Sequence, residues 1–213
     1  MTDQTHSSRR NFLRSSAAAI GLAALSGCAA DNQSQSQGTT GTSIPEAPVA
    51  DGKEALQRLM DGNERFAGNH AEHLDEGEER RIAVSKGQHP FATILGCVDS
   101  RVPAELVFDR GLGDLVVVRS AAEVLDKSVI GSLEFGVAEL KTPLLMVLGH
   151  QRCGALDATI KALDGRMAHA AGDIDFLMEA LEPAVRQVTG KPGDRLANAV
   201  HANVDLVLQQ LRN

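Results

Sequence analysis

The sequence has no tryptophan and no tyrosine, which leaves six phenylalanines and seven histidines as the only rings able to stack on a nucleobase. It also has no excess of positive charge: 21 Lys and Arg stand against 28 Asp and Glu, for a formal net charge of -7. Without a basic stripe or aromatic platforms, no nucleic-acid partner is expected. A mild acidic balance says little about a small neutral substrate. Long hydrophobic runs are missing too. The apolar stretch from Ala17 to Leu25 is too short to span a bilayer comfortably. Cysteine is scarce, with only Cys28, Cys97 and Cys153 in the 213 residues.

The first of these cysteines belongs to an address rather than to a fold. Ser8-Arg9-Arg10-Asn11-Phe12-Leu13-Arg14 is a twin-arginine signature, followed by the apolar stretch and then by Leu25-Ser26-Gly27-Cys28. That ending resembles a bacterial lipobox, in which cleavage leaves the cysteine as a lipid-bearing N-terminus. Residues 1–28 are therefore expected to be a twin-arginine signal peptide with lipidation at Cys28. The chain is expected to be exported and anchored by lipid at the outer face of the cell membrane, or periplasmic. The twin-arginine route carries folded proteins, so a metal site loaded in the reducing cytoplasm would arrive intact. Residues 29–50, rich in Gln, Ser, Gly, Thr and Pro and without hydrophobic periodicity, read as a flexible tether.

Residues 51–213 read as one α/β domain. Ala55, Leu56, Leu59 and Met60 fall at helical spacing with Asp51 as the N-cap, and Asp75 to Lys86 reads as a second, more exposed helix. Phe91–Gly96, Leu115–Val118 and Pro143–Leu148 are short apolar runs expected to be buried strands. Between and after them, Ser128–Leu140 (with Val129, Leu133, Val137 and Leu140 on one face), Gly154–Leu163, Ile174–Val188 and Arg195–Leu211 have helical patterns. This βαβ rhythm predicts a parallel sheet flanked by helices, with its site beyond the carboxyl ends of the strands.

The residues with chemistry sit at those ends. Cys97-Val98-Asp99-Ser100-Arg101 follows the first strand, and Gly149-His150-Gln151-Arg152-Cys153-Gly154 follows the third. His150 and Cys153 open a helix as H-x-x-C, and Cys97 joins them if the two strands are neighbours. Two thiolates and one imidazole suit zinc, and three protein ligands leave a fourth tetrahedral position for water. The competing reading at this point is a Cys97–Cys153 disulfide, which an exported protein would tolerate. Asp99 and Arg101 lie in a turn where no core needs them. A carboxylate held by a guanidinium stays ionised and fixed in direction, and can only accept a hydrogen bond.

Cys97-Val98-Asp99-Ser100-Arg101-Val102-Pro103-Ala104-Glu105 resembles the C-x-D-S-R-V-P-x-E segment of bacterial β-carbonic anhydrases, and Gly149 to Ala155 resembles their G-H-x-x-C-G-A segment. Phe108 to Leu115, Val117-Val118-Arg119 and Gly131 to Phe135 are similar to that family as well. The resemblance implies zinc-dependent, reversible hydration of carbon dioxide to bicarbonate and a proton. It implies Cys97, His150 and Cys153 as ligands of one zinc, Asp99 and Arg101 as the catalytic pair, and substrate contacts from Gln88, Phe108 and Gly154. It further implies a homodimer or higher homo-oligomer. His89 is a candidate proton shuttle only through its place beside Gln88.

Two departures from the family pattern qualify this. Ala122-Glu123 stands where the family usually has Gly-Asn, which puts the geometry and charge of that turn in question. The C-terminal strand region of the family is expected to be missing after Asn213. The alternatives are a catalytically impaired zinc- or anion-binding relative, or a hydrolase of a CO2-like substrate such as carbon disulfide on the same site.

Overall fold

The structure, a computed structural model, describes residues 49–168 and 172–213. The expectations for residues 1–48 (the export signal, Cys28 and most of the tether) lie outside the described residues, as does His169. Helix α1 (Gly52–Ala67) starts where Asp51 accepts hydrogen bonds from the Lys53 and Glu54 N–H groups, each at 2.9 Å. It buries Ala55 and Leu59 completely, whereas Leu56 and Met60 of the same apolar stripe are 41% and 51% exposed. Gly62 lets the helix lie directly on the chain at Phe108, whose carbonyl a Cβ would strike. The second helix, α2 (Glu78–Val84), buries nothing and is shorter than expected. Asp75 is in the left-handed region at φ 56, and its carbonyl accepts from the Leu112 N–H, so that backbone is committed to a tertiary contact instead.

Three parallel strands follow, β1 (Ala92–Cys97), β2 (Leu115–Ser120) and β3 (Leu145–Leu148), in the spatial order β2-β1-β3. β1 is central and buried along its whole length, which explains its unbroken apolar run. Its side chains alternate between two layers. Ala92 and Ile94 pack with Ala55 and Leu59 of α1 and with Phe91, Ala104 and Phe108. On the other face Leu95 packs with Leu133 and Val207, and Cys97 joins a cluster of Leu156, Ile160, Leu181, Val185 and Ala199. These come from α4 (Lys127–Glu134), α5 (Gly154–Leu163), α6 (Asp173–Gln187) and α7 (Arg195–Leu211). A single turn, α3 (Ala104–Val107), links β1 toward β2.

The helix expected over Ser128–Leu140 is interrupted. After Glu134 the chain takes one wide π turn, Phe135–Glu139, closed by the Leu140 N–H on the Phe135 carbonyl at 3.1 Å. The extra residue rotates the face inward at Gly136 rather than Val137, which is 41% exposed. Gly136 is required there because a Cβ would collide with the Thr93 hydroxyl of β1. Among the described residues no helix is long and apolar enough to cross a membrane.

This packing predicts that Leu95→Ala, at a fully buried position in the middle of the sheet, lowers the unfolding free energy by about 2–5 kcal/mol in urea titration. Arg81→Ala, where the side chain is 71% exposed on α2, should change it by no more than about 0.5 kcal/mol.

Candidate metal centre

Parallel pairing places Gly96 of β1 opposite Leu148 of β3, so the next residues of each strand, Cys97 and Gly149-His150, leave the sheet side by side. The chain then turns through Arg152, at φ 56, and Cys153 becomes the N-cap of α5. The Cys97 and Cys153 sulfurs and a His150 ring nitrogen all lie within 4.8 Å of one another. Both cysteines are buried, at 4% and 2% exposure, and both are free thiols.

The surroundings of each group fit a cation. His150 Nδ1 lies 3.0 Å from the Gln151 carbonyl, an acceptor for an Nδ1 proton, so Nε2 is the nitrogen available to a ligand. That Nε2 is buried without a hydrogen-bond partner. Cys97 Sγ accepts from the Ala122 N–H at 3.3 Å. The Cys153 thiol first, then the N–H groups of Ala122 and Asp99 and the His150 ring, hold Cys97 below the ordinary thiol range against its own burial. Cys153 is pushed up by the Cys97 thiolate and by burial, while the Leu156 and Ala155 N–H groups at the start of α5 draw it down. Two buried thiols beside an imidazole whose Nε2 has no hydrogen-bond partner form a donor set suited to zinc. At Zn–S distances near 2.3 Å, tetrahedral ligand atoms stand about 3.8 Å apart, so only a modest contraction is needed.

Beside this trio, Arg101 grips Asp99 with two parallel bonds, Nε to Oδ1 at 2.8 Å and Nη2 to Oδ2 at 2.7 Å, and the Arg101 N–H adds a third at 2.9 Å. The Arg101 side chain and N–H, with the field of its charge and of His150, hold the Asp99 carboxyl well below the usual carboxylate range despite some desolvation. Asp99 Oδ2 lies 4.0 Å from His150 Nε2. Arg101 also reaches the Arg152 carbonyl at 3.0 Å, tying the turn after β1 to the turn after β3.

Of the other residues singled out in the sequence, Gly154 opens α5 next to Cys153, in open space where a Cβ would meet nothing within 4 Å. Phe108 is 4% exposed in the α1-facing cluster, across β1 from the one that holds Cys97 and Cys153, so within its own chain it packs in the core. Gln88 and His89 are exposed at the amino end of β1, separated from Cys97 by the strand's length of about 17 Å at 3.3 Å per residue. Neither touches the ligands of its own chain.

The turn in question at Ala122-Glu123 is held from two sides, and Arg119 and Asn203, to which no role was assigned from the sequence, are parts of the site. Arg119 donates to the Cys97 carbonyl at 2.7 Å and to the Asp99 carbonyl at 2.6 Å, pinning the turn after β1; its signals were a charge ending the valine run of β2 and the similarity of Val117-Val118-Arg119 to the family. Ala122 and Glu123 both take left-handed backbone, at φ 47 and φ 57, so the turn is kept without glycine. Such a conformation costs an L-residue about 1–2 kcal/mol. Asn203 holds the Ala122 carbonyl at 2.8 Å.

A carbonic anhydrase family profile matches residues 92–213. The chain is 45% identical over 139 residues to a carbonic anhydrase of Mycolicibacterium smegmatis, covering 65% of each chain. It is 43% identical to carbonic anhydrase 2 of Mycobacterium tuberculosis over 65% of this chain and 64% of that one. The chain thus spans just under two thirds of the curated relatives it matches. Among solved structures it superposes on the β-carbonic anhydrase CcaA with a TM-score of 0.55 and 25% identity, over 74% of both chains.

Glu123 generates a pH prediction. It is 2% exposed, and burial first, then the negative charge of Cys97, push its carboxyl up to about 8 against the pull of Asn203. A folded-state pKa above the unfolded one means stability is full below the unfolded value and is lost as pH rises toward the folded value. Stability should therefore fall between about pH 5 and pH 8, by at most about 1.4 kcal/mol per unit. Thermal unfolding across that range should show a flatter profile for Glu123→Gln than for the wild type.

Proposed function

Because this chain belongs to the carbonic anhydrase family and has the β-class fold, we propose that it catalyses the reversible hydration of carbon dioxide to bicarbonate and a proton, using one zinc ion held by Cys97, His150 and Cys153. The observation that carries this reading is the clamped Asp99 carboxylate next to the three ligand side chains. A structural metal site has no need of such a group. Zinc, when bound, supplies a Lewis acid that lowers the pKa of a water molecule to about 7.

The chain's residues do the rest. Asp99, ionised and able only to accept, takes a hydrogen bond from the attacking oxygen and so turns a lone pair toward the carbon of CO2. Arg101 keeps that carboxylate charged and fixed in direction, because the two parallel bonds leave it one orientation. Arg119 and the Arg101–Arg152 bond keep the two ligand-bearing turns in register. The exposed Arg101 side chain and the open space at Gly154 give carbon dioxide and bicarbonate a way in and out.

The proposal extends to assembly and placement. Leu56, Met60 and Phe66 of α1 and the nearby Leu106 are all at least 41% exposed, and an apolar surface of this kind supports a homodimer or a higher homo-oligomer. The twin-arginine signature at Arg9-Arg10 and the Leu-Ser-Gly-Cys ending at Cys28 support export and a lipid anchor.

Stopped-flow CO2 hydration on the zinc-loaded full chain tests the reading. Rapid hydration is expected, reduced about ten- to hundredfold or more in Asp99→Asn at unchanged zinc content. Background hydration by a chain carrying about one zinc would exclude it.

A further inference from the structure

We propose that Asn203, on the last helix of the chain, is a positioning residue for the metal centre, holding Cys97 in place through the peptide of Ala122. This rests on the metal-site reading above. Asn203 is 4% exposed on α7 and distant in sequence from every proposed ligand. Its side-chain amide donates to the Ala122 carbonyl at 2.8 Å and more weakly toward Glu123 Oε2 at 3.4 Å. The N–H of the same Ala122 donates to Cys97 Sγ at 3.3 Å. The two polar groups of one residue are thus spent on the clamp and on the ligand.

That residue needs a clamp. Ala122 sits at φ 47, ψ 42 and Glu123 at φ 57, two successive left-handed residues with neither a glycine nor an asparagine to favour the conformation. If the turn relaxed toward ordinary backbone, the Ala122 N–H would swing away from the sulfur. A hydrogen bond to a thiolate lowers its charge density and fixes its direction, so its loss alters both metal affinity and the electronic character of the sulfur.

α7 also packs on the strand end that carries the other ligands. A Cβ on Gly149, the residue before His150, would lie 2.7 Å from Val204 Cγ2, 3.2 Å from Val200 Cγ1 and 4.0 Å from Glu123 Oε2. One helix surface, Val200-Asn203-Val204, therefore abuts the turn behind Cys97 and the approach to His150. A purely structural asparagine would stabilise the helix docking and leave the ligand sulfur unaffected.

The test is made on the full chain loaded with cobalt(II), whose sulfur-to-cobalt charge-transfer band reports the thiolates and whose release to a chelator reports the site. Asn203→Ala should shift that band and speed cobalt release about ten- to hundredfold. Asn198→Ala, a change on the same helix that removes only an exposed bond to the Pro192 carbonyl, should behave as wild type. If Asn203→Ala does not fold, Asn203→Ser serves. Its hydroxyl can bond within the helix but is too short to reach Ala122, so the same shift and acceleration are expected. A folded Asn203 variant with an unshifted band and wild-type release would overturn the proposal while leaving the metal reading intact. A wild-type chain that takes up no cobalt would overturn both.

Discussion

Cys97 and His150 meet because β1 and β3 pair in parallel, with Gly96 beside Leu148 and both strands ending at the same level. Everything at the site depends on that register. A one-residue slip of β3 would turn His150 to the other face of the sheet and leave two thiols without their third partner. The sheet can hold the register because β1 is buried on both faces, by α1 on one and by α4, α5 and α7 on the other. The polar pair Thr93–Thr142, 2.7 Å apart, adds a directional contact between β1 and the segment that leads into β3.

The rest of the centre consists of ties between the two turns that the register brings together. Arg101 joins Asp99 to the Arg152 carbonyl, and Arg119 joins β2 to the carbonyls of Cys97 and Asp99. Arginine suits both places because its planar fork can satisfy two acceptors at once. The two sulfurs in turn receive N–H groups from Ala122 and from the start of α5. The site is thus built from backbone donors and bidentate arginines on rigid strand ends, the kind of support that holds a metal and its neighbouring carboxylate at a fixed distance.

Much of this was legible in the sequence where one physical rule governed the outcome. The continuous apolar run of β1 marked a strand buried on both faces. Helical periodicity with a clear start placed α5 at Gly154–Leu163 and α7 at Arg195–Leu211, as observed. The convergence of Cys97, His150 and Cys153 could be read from their places at strand ends on the condition, met here, that β1 and β3 are neighbours. What was illegible depended on tertiary fit. The π turn at Phe135–Glu139 arises because Gly136 must pass close to Thr93. Phe108 went to the core because α1 covers that face of the sheet. Nothing local in Ala122-Glu123 announces two left-handed residues, and nothing in α7 marks Asn203 as their anchor across the fold.

X-ray absorption at the zinc edge of the metal-loaded full chain tests the central claim most directly. The account predicts about one zinc per chain, two sulfur ligands near 2.3 Å and two nitrogen or oxygen ligands near 2.0 Å. One of the light ligands would be the His150 imidazole. A chain that binds no zinc, or a zinc shell with fewer than two sulfurs because Cys97 and Cys153 are joined to each other, would contradict it.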